Sequence, residues 1–190
     1  MRWLILYARS RQAPTSAAAV TLVALAAWAF HQDGAGPMDL VIAVVVLTAN
    51  VTASSVGLGG RDIALESTAA IRWAPRRAAH VLLIGAVAAA ALLAVQAVGP
   101  ELAPAEVVAR DSAGLVGLAA LGAVLCGAPF AWTLPTGWLA LTLLVPPPGG
   151  TGGQVASWMI LPPGTTAATG TAWALLVSGT VLYAIAGPRR

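Results

Sequence analysis

Apolar residues in this chain come in long runs, broken by short clusters of glycine, proline and arginine, with neither the strict alternation of a half-buried strand nor a narrow amphipathic stripe. A hydrocarbon core of about 30 Å takes about 20 helical residues, and the runs approach that length. They predict membrane-spanning helices over 15–30, 38–56, 79–98, 112–127, 129–145 and 166–186. Gly34, Gly36 and Pro37 turn the chain between the first two. Pro135 lies inside the fifth, which is therefore expected to kink or to start late. The expected fold is all-α: a polytopic integral membrane protein with six transmembrane helices in a single domain.

Three segments outside these runs carry patterns of their own. In residues 1–12, Trp3, Leu4, Leu6 and Tyr7 share an apolar side while Arg2, Arg9 and Arg11 point to headgroups, as in a helix lying in the interface. A basic leader that merely sets topology would carry the same arginines. After the breaker Gly57-Leu58-Gly59-Gly60, residues 61–74 form a short helix with Asp62 near its positive end and Glu66 one turn on, and Pro75 is expected to stop it. Trp73 belongs to its partly apolar side or anchors at headgroup level. Residues 146–165 are uncharged, rich in proline and glycine, and apolar from Val155 to Leu161. They are too short to span and too apolar for water, so a re-entrant external segment is expected.

Charge fixes a direction. All ten basic residues are arginines, and nine form three clusters: Arg2, Arg9 and Arg11; Arg61, Arg72, Arg76 and Arg77; Arg189 and Arg190. Cytoplasmic loops keep Arg and Lys, so both termini are expected inside, with Arg110 alone outside among Asp33, Asp39, Glu101, Glu106 and Asp111. The Ala-rich run from Ala17 to Phe30 is read as a retained span, because further apolar runs follow it at once. With 58% hydrophobic residues, 9% charged and a mean hydropathy of +0.83, no separate soluble domain fits. The net charge of +3 answers anionic lipid rather than nucleic acid, since basic and aromatic residues do not alternate outside the spans.

Several chemistries are disfavoured. A phosphate-binding loop of the Walker type needs a lysine, and there is none. His31 and His80 fall at opposite ends of different spans, which argues against a shared protease or haem site. Cys126 is the single cysteine, so no disulfide framework or cysteine metal cluster forms, and no cofactor is expected. Polar residues within spans are the remaining candidates. Asn50 and Ser54 lie four apart on one face of span two and Gln96 near the end of span three, lining either a translocation path or helix–helix hydrogen bonds. The small residues Ala113 and Gly117, then Ala119, Ala123 and Gly127, permit close helix packing, within the chain or at a subunit interface.

This order of features resembles the membrane subunit of an ATP-binding cassette transporter of the ABC-2 type. Arg61-Asp62-Ile63-Ala64-Leu65-Glu66 through Trp73-Ala74-Pro75-Arg76-Arg77-Ala78-Ala79-His80 is similar to that family's cytoplasmic coupling helix and its re-entry into the membrane. The resemblance implies an N-terminal interfacial helix, a coupling helix over 61–74 and an external re-entrant segment. It also implies a permease without its own ATPase site, a separate ABC ATPase partner, and a second identical or similar permease chain. Asp62, Glu66, Arg72 and Trp73 would then contact the ATPase. Two other readings stay open. A six-helix substrate-binding subunit of a vitamin or metal uptake system would use Gln96, Glu101, Glu106, Arg110 and Asp111. A membrane enzyme of lipid metabolism would want paired aspartates, which are absent. Composition rich in Ala and Arg suggests the plasma membrane of a high-GC bacterium.

Overall fold

The computed structural model describes residues 39–55, 58, 73–99, 101–146 and 149–189. The expected interfacial helix, the first span and the coupling segment up to Arg72 lie outside the described residues. Those described are all-helical, with no strand among them. The helices are α1 (Asp39–Ser55), α2 (Trp73–Gln96), α3 (Ala105–Leu125), α4 (Thr133–Leu144), α5 (Gly150–Ala156) and α6 (Thr166–Ala186), with 3₁₀ turns at Ala128–Phe130 and Trp158–Ile160. Three of them, α2, α3 and α6, are long and apolar enough to cross a membrane, and α1 is a shorter apolar helix.

Boundaries follow local chemistry, and several differ from the sequence expectation. Pro75 does not end a preceding helix at Ala74. It occupies the first turn of α2, where its missing N–H has no intrahelical acceptor to lose, so Trp73 belongs to α2. Helix α3 begins at Ala105 rather than at 112, directly after Pro104 and with Glu106 in its positive first turn, which takes Arg110 and Asp111 into the helix. It ends at Leu125, and Gly127 at φ 101 makes the turn that a side chain would strain. Pro135 sits in the first turn of α4, so this helix starts later than the sequence run. That run is not one helix over 129–145 but a 3₁₀ turn followed by 12 helical residues. At 1.5 Å per residue those reach about 18 Å, short of a full hydrocarbon core.

Contacts fix the directions. Val116 and the Ser112 carbonyl of α3 border Gly85 of α2, and Gln96 Nε2 donates to the Ala103 carbonyl at 2.9 Å, so α2 and α3 are antiparallel. Helices α3 and α6 are parallel. Arg110 bonds to the carbonyls of Leu161 and Pro162 ahead of α6, Gly117 meets Leu175, Leu176 and Gly179 midway, and Arg189 N–H donates to the Ala123 carbonyl at 3.0 Å beyond it. Tyr183 Oη donates to the Leu58 carbonyl at 2.7 Å, so α1 runs the same way as α6. Arg77 lies against Gly187, and Arg189 Nη1 donates to the Leu125 carbonyl. The start of α2, the end of α3 and the tail after α6 thus gather arginines at one end of the bundle, called here the arginine end.

Helix α3 is the axis, buried around almost its whole circumference from Val107 to Ala123. Helices α1, α2, α4 and α6 pack on it, while α2 and α6 turn Leu82, Leu83, Val87, Trp173, Val177 and Ile185 outward. The buried edge of α6 is Ala168, Ala172, Leu176, Gly179 and Tyr183, a helical stripe facing α3. Gly117 and Gly179 bring the two backbones into contact: a Cβ at Gly117 would overlap the Leu175 carbonyl, and one at Gly179 the Gly117 carbonyl. This small-residue crossing therefore packs the chain against itself and leaves Gly117 unavailable to a subunit interface.

Gly117→Ala should lower stability by about 1–3 kcal/mol, because the helices must separate to admit the methyl group. Gly170→Ala, on α6 where no atom lies within 4 Å of the Cβ position, should be neutral or stabilising by up to about 1 kcal/mol. Loss of helicity on titration with a denaturing detergent measures both.

Candidate functional site

The densest polar arrangement in the described bundle lies near the start of α3, at the end opposite the arginine end. Arg110 is 7% exposed and Asp111 is 0% exposed. Arg110 Nε donates to Asp111 Oδ1 at 2.7 Å. Its Nη2 donates to the carbonyls of Leu161 at 3.0 Å and Met159 at 3.5 Å, and its Nη1 to that of Pro162 at 3.3 Å. A planar guanidinium with five donors in a fixed fork suits a chain end that presents several carbonyls together. The acceptors are available for a local reason. Leu161 is extended, Pro162 and Pro163 have no N–H and cannot continue a helix, so the carbonyls at the end of the 3₁₀ turn gain no helical partners.

The segment that Arg110 holds is wedged into the bundle. Trp158 and Met159 are fully buried, and the six-membered ring of Trp158 covers Gly114, where any side chain would overlap it. Gly114 is three residues after Asp111, on the same side of α3. From α4, Trp138 Nε1 donates to the Ala156 carbonyl at 3.0 Å and Thr142 Oγ1 to the same oxygen at 3.3 Å. Residues 146–165 thus include a short hairpin that returns to α3, placing an aromatic plug beside the buried ion pair.

Some polar atoms in this core have no hydrogen-bond partner: Asp111 Oδ2, Trp158 Nε1 and both polar atoms of Asn50. An unsatisfied buried group costs about 1–3 kcal/mol, more when charged, so a natural core retains few of them without reason. Asn50 is 0% exposed and Ser54 is half-buried, both on α1. Gln96 is tied to Ala103 and fastens the α2–α3 connection. Trp73 is half-buried at the arginine end, with the Arg76 guanidinium 5.7 Å from its ring centre. Asp62, Glu66 and Arg72 lie outside the described residues. The structure therefore does not bring Asn50, Ser54 and Gln96 together as one site.

The residues that matter most here, Arg110, Asp111 and Trp158, were assigned to external segments by the sequence pattern. One signal for them existed. Arg110 is the single arginine outside the three clusters. Among the described residues, no group of three His, Cys, Asp or Glu is placed to hold a metal ion. No protein-family model, no curated protein and no solved structure matches the chain.

Arg110→Ala strands Asp111 and should cost about 3–5 kcal/mol, whereas the paired replacement Arg110→Met with Asp111→Leu should stay within about 1 kcal/mol or gain stability. Detergent unfolding of the two variants compares them. Asn50→Leu removes two unsatisfied groups from the core and should stabilise by about 1–2 kcal/mol in the same assay.

Proposed function

We propose that the chain is the membrane-spanning permease subunit of an ATP-binding cassette transporter of the ABC-2 exporter type. In this reading it has six spans and both termini on the cytoplasmic face of a bacterial plasma membrane. It hydrolyses no nucleotide itself and couples to a separate ATPase. The arginine end carries the reading. Trp73, Pro75, Arg76 and Arg77 open α2, with Arg77 against Gly187, and Arg189 bonds to the Leu125 carbonyl at the end of α3. In this reading the coupling segment before Trp73 leads into α2 at the arginine end. A partner that pushes there tilts α2, α3 and α6 together, the rigid-body movement by which transporters alternate. The late, broken fifth passage and the returning hairpin after it agree with the re-entrant external segment that the resemblance implies.

The enclosure of α3 bears on where cargo passes. In this reading the translocation path runs between two permease chains, and the enclosure of α3 by its own chain is compatible with that. A second reading, a subunit that captures a small solute near the outer face, draws on one observation: Asp111 in that half of the bundle keeps a carboxylate oxygen unpaired. Tight binding of a vitamin or metal ion by the chain purified alone would favour it over the exporter.

Affinity purification of the full chain from its native membrane is expected to bring down an ATP-hydrolysing protein in stoichiometric amount. The double variant Glu66→Ala with Arg72→Ala should insert normally and lose at least about nine-tenths of that partner, since charge-assisted contacts at an interface are costly to strand. Absence of any ATPase from the native preparation, or undiminished recovery with the variant, would overturn the assignment.

A further inference from the structure

The hairpin after α4 is bounded by joints. Gly150 and Gly164 both take left-handed backbone, at φ 78 and φ 80, and no atom lies within 4 Å of the Cβ position at either, nor at Gly149 or Gly152. Turns this open can rotate without displacing a neighbour, although at Gly164 Thr165 Oγ1 donates across the turn to the Pro162 carbonyl at 2.9 Å. Between the joints the segment is tied to itself. Ser157 donates from both its N–H and its Oγ to the Gly153 carbonyl, at 2.9 and 2.8 Å, and Ile160 N–H donates to the Ser157 carbonyl at 3.0 Å. It can move as one piece.

Its seat on α3 has few attachments. Trp158 covers Gly114 by van der Waals contact alone, and its indole N–H is unsatisfied in the seated position. From α3, the guanidinium of Arg110 gathers the carbonyls of Met159, Leu161 and Pro162. Asp111 neutralises that guanidinium from the adjacent position and contributes no contact to the hairpin itself. The arrangement has the parts of a latch: an insert bonded to itself, an open glycine turn at each end, a tie from Trp138 and Thr142 of α4 to the Ala156 carbonyl, and on α3 one charged side chain that grips the insert's end.

We propose that residues Gly150–Pro162 form a hinged plug, held in its seat on α3 by Arg110. Withdrawal of the plug releases the guanidinium from three carbonyls. The inference concerns a movement of this chain and holds whether or not the chain is an exporter.

The test uses the full chain in lipid nanodiscs with Cys126→Ser as background and a water-soluble maleimide as probe. Met159→Cys reports on the plug, and Ala172→Cys, on the buried face of α6, reports on the bundle. With Arg110 in place both thiols should react slowly. In the double variant Arg110→Met with Asp111→Leu, which removes the grip without leaving a charge buried, Met159→Cys should react at least about tenfold faster while Ala172→Cys stays protected. Equal rates at Met159→Cys with and without Arg110 would overturn the latch. So would a parallel rise at Ala172→Cys, because the pair would then be holding the whole bundle rather than the plug.

Discussion

The parallel contact of α3 with α6 is the constraint on which the rest of the bundle depends. Gly117 and Gly179 let two backbones touch, and that approach sets the two helices side by side in the same direction. Parallel neighbours cannot be joined by a tight turn, so residues 126–165 must carry the chain back along the bundle before α6 can begin. The return is made by a 3₁₀ turn and the 12-residue α4, which is too short to complete it as a regular span. The remaining length is taken up by the hairpin that folds inward over Gly114. A glycine-sized space at one crossing thus determines both the broken passage and the place where an aromatic side chain can enter.

The polar groups answer to the same enclosure. Helix α3 has neighbours on all sides, so any charge it carries beyond its first turn is removed from solvent. Arg110 and Asp111 meet this by pairing with each other, and Arg110 directs its other donors to carbonyls that the Pro162-Pro163 break leaves available. A buried pair of this sort contributes little net stability, while removal of one partner is costly, so its more telling effect is to fix which segment lies against α3. At the opposite end, Arg77 and Arg189 remain at the surface and tie the start of α2 and the tail after α6 to the end of α3. The bundle is therefore pinned by guanidinium groups at both ends, buried at one and wet at the other.

The length of the apolar runs announced α1, α2 and α6 to within a few residues at most boundaries, because a helix in hydrocarbon must satisfy its own backbone and its apolar length is set by the membrane. The same reasoning failed at α3. A rule that removes charge from spans starts that helix after Asp111, and it cannot anticipate that adjacent residues will neutralise each other, since neighbours at i and i+1 do not face one another on an ideal helix. Pro75 was misassigned for a related reason: proline marks the end of one helix or the first turn of the next with equal ease. Of the site, the lone position of Arg110 was legible, but its acceptors lie some fifty residues further along the chain.

What the sequence determined by itself was the helical class, helices long and apolar enough to cross a membrane, and the clustering of arginine along the chain, for these are sums over local composition and run length. Which face of each helix is buried was left to the tertiary structure, because apolar residues surround these helices almost evenly and give no stripe to read. Small residues are so frequent that Gly117 stood out only once Gly179 was placed against it. Likewise Trp158 was one apolar residue among many until its ring was set over Gly114, with Arg110 closing on the carbonyls beside it. In a membrane the hydrophobic effect delivers helices to the bilayer but does not choose their partners, and close packing and hydrogen bonds between distant segments make that choice.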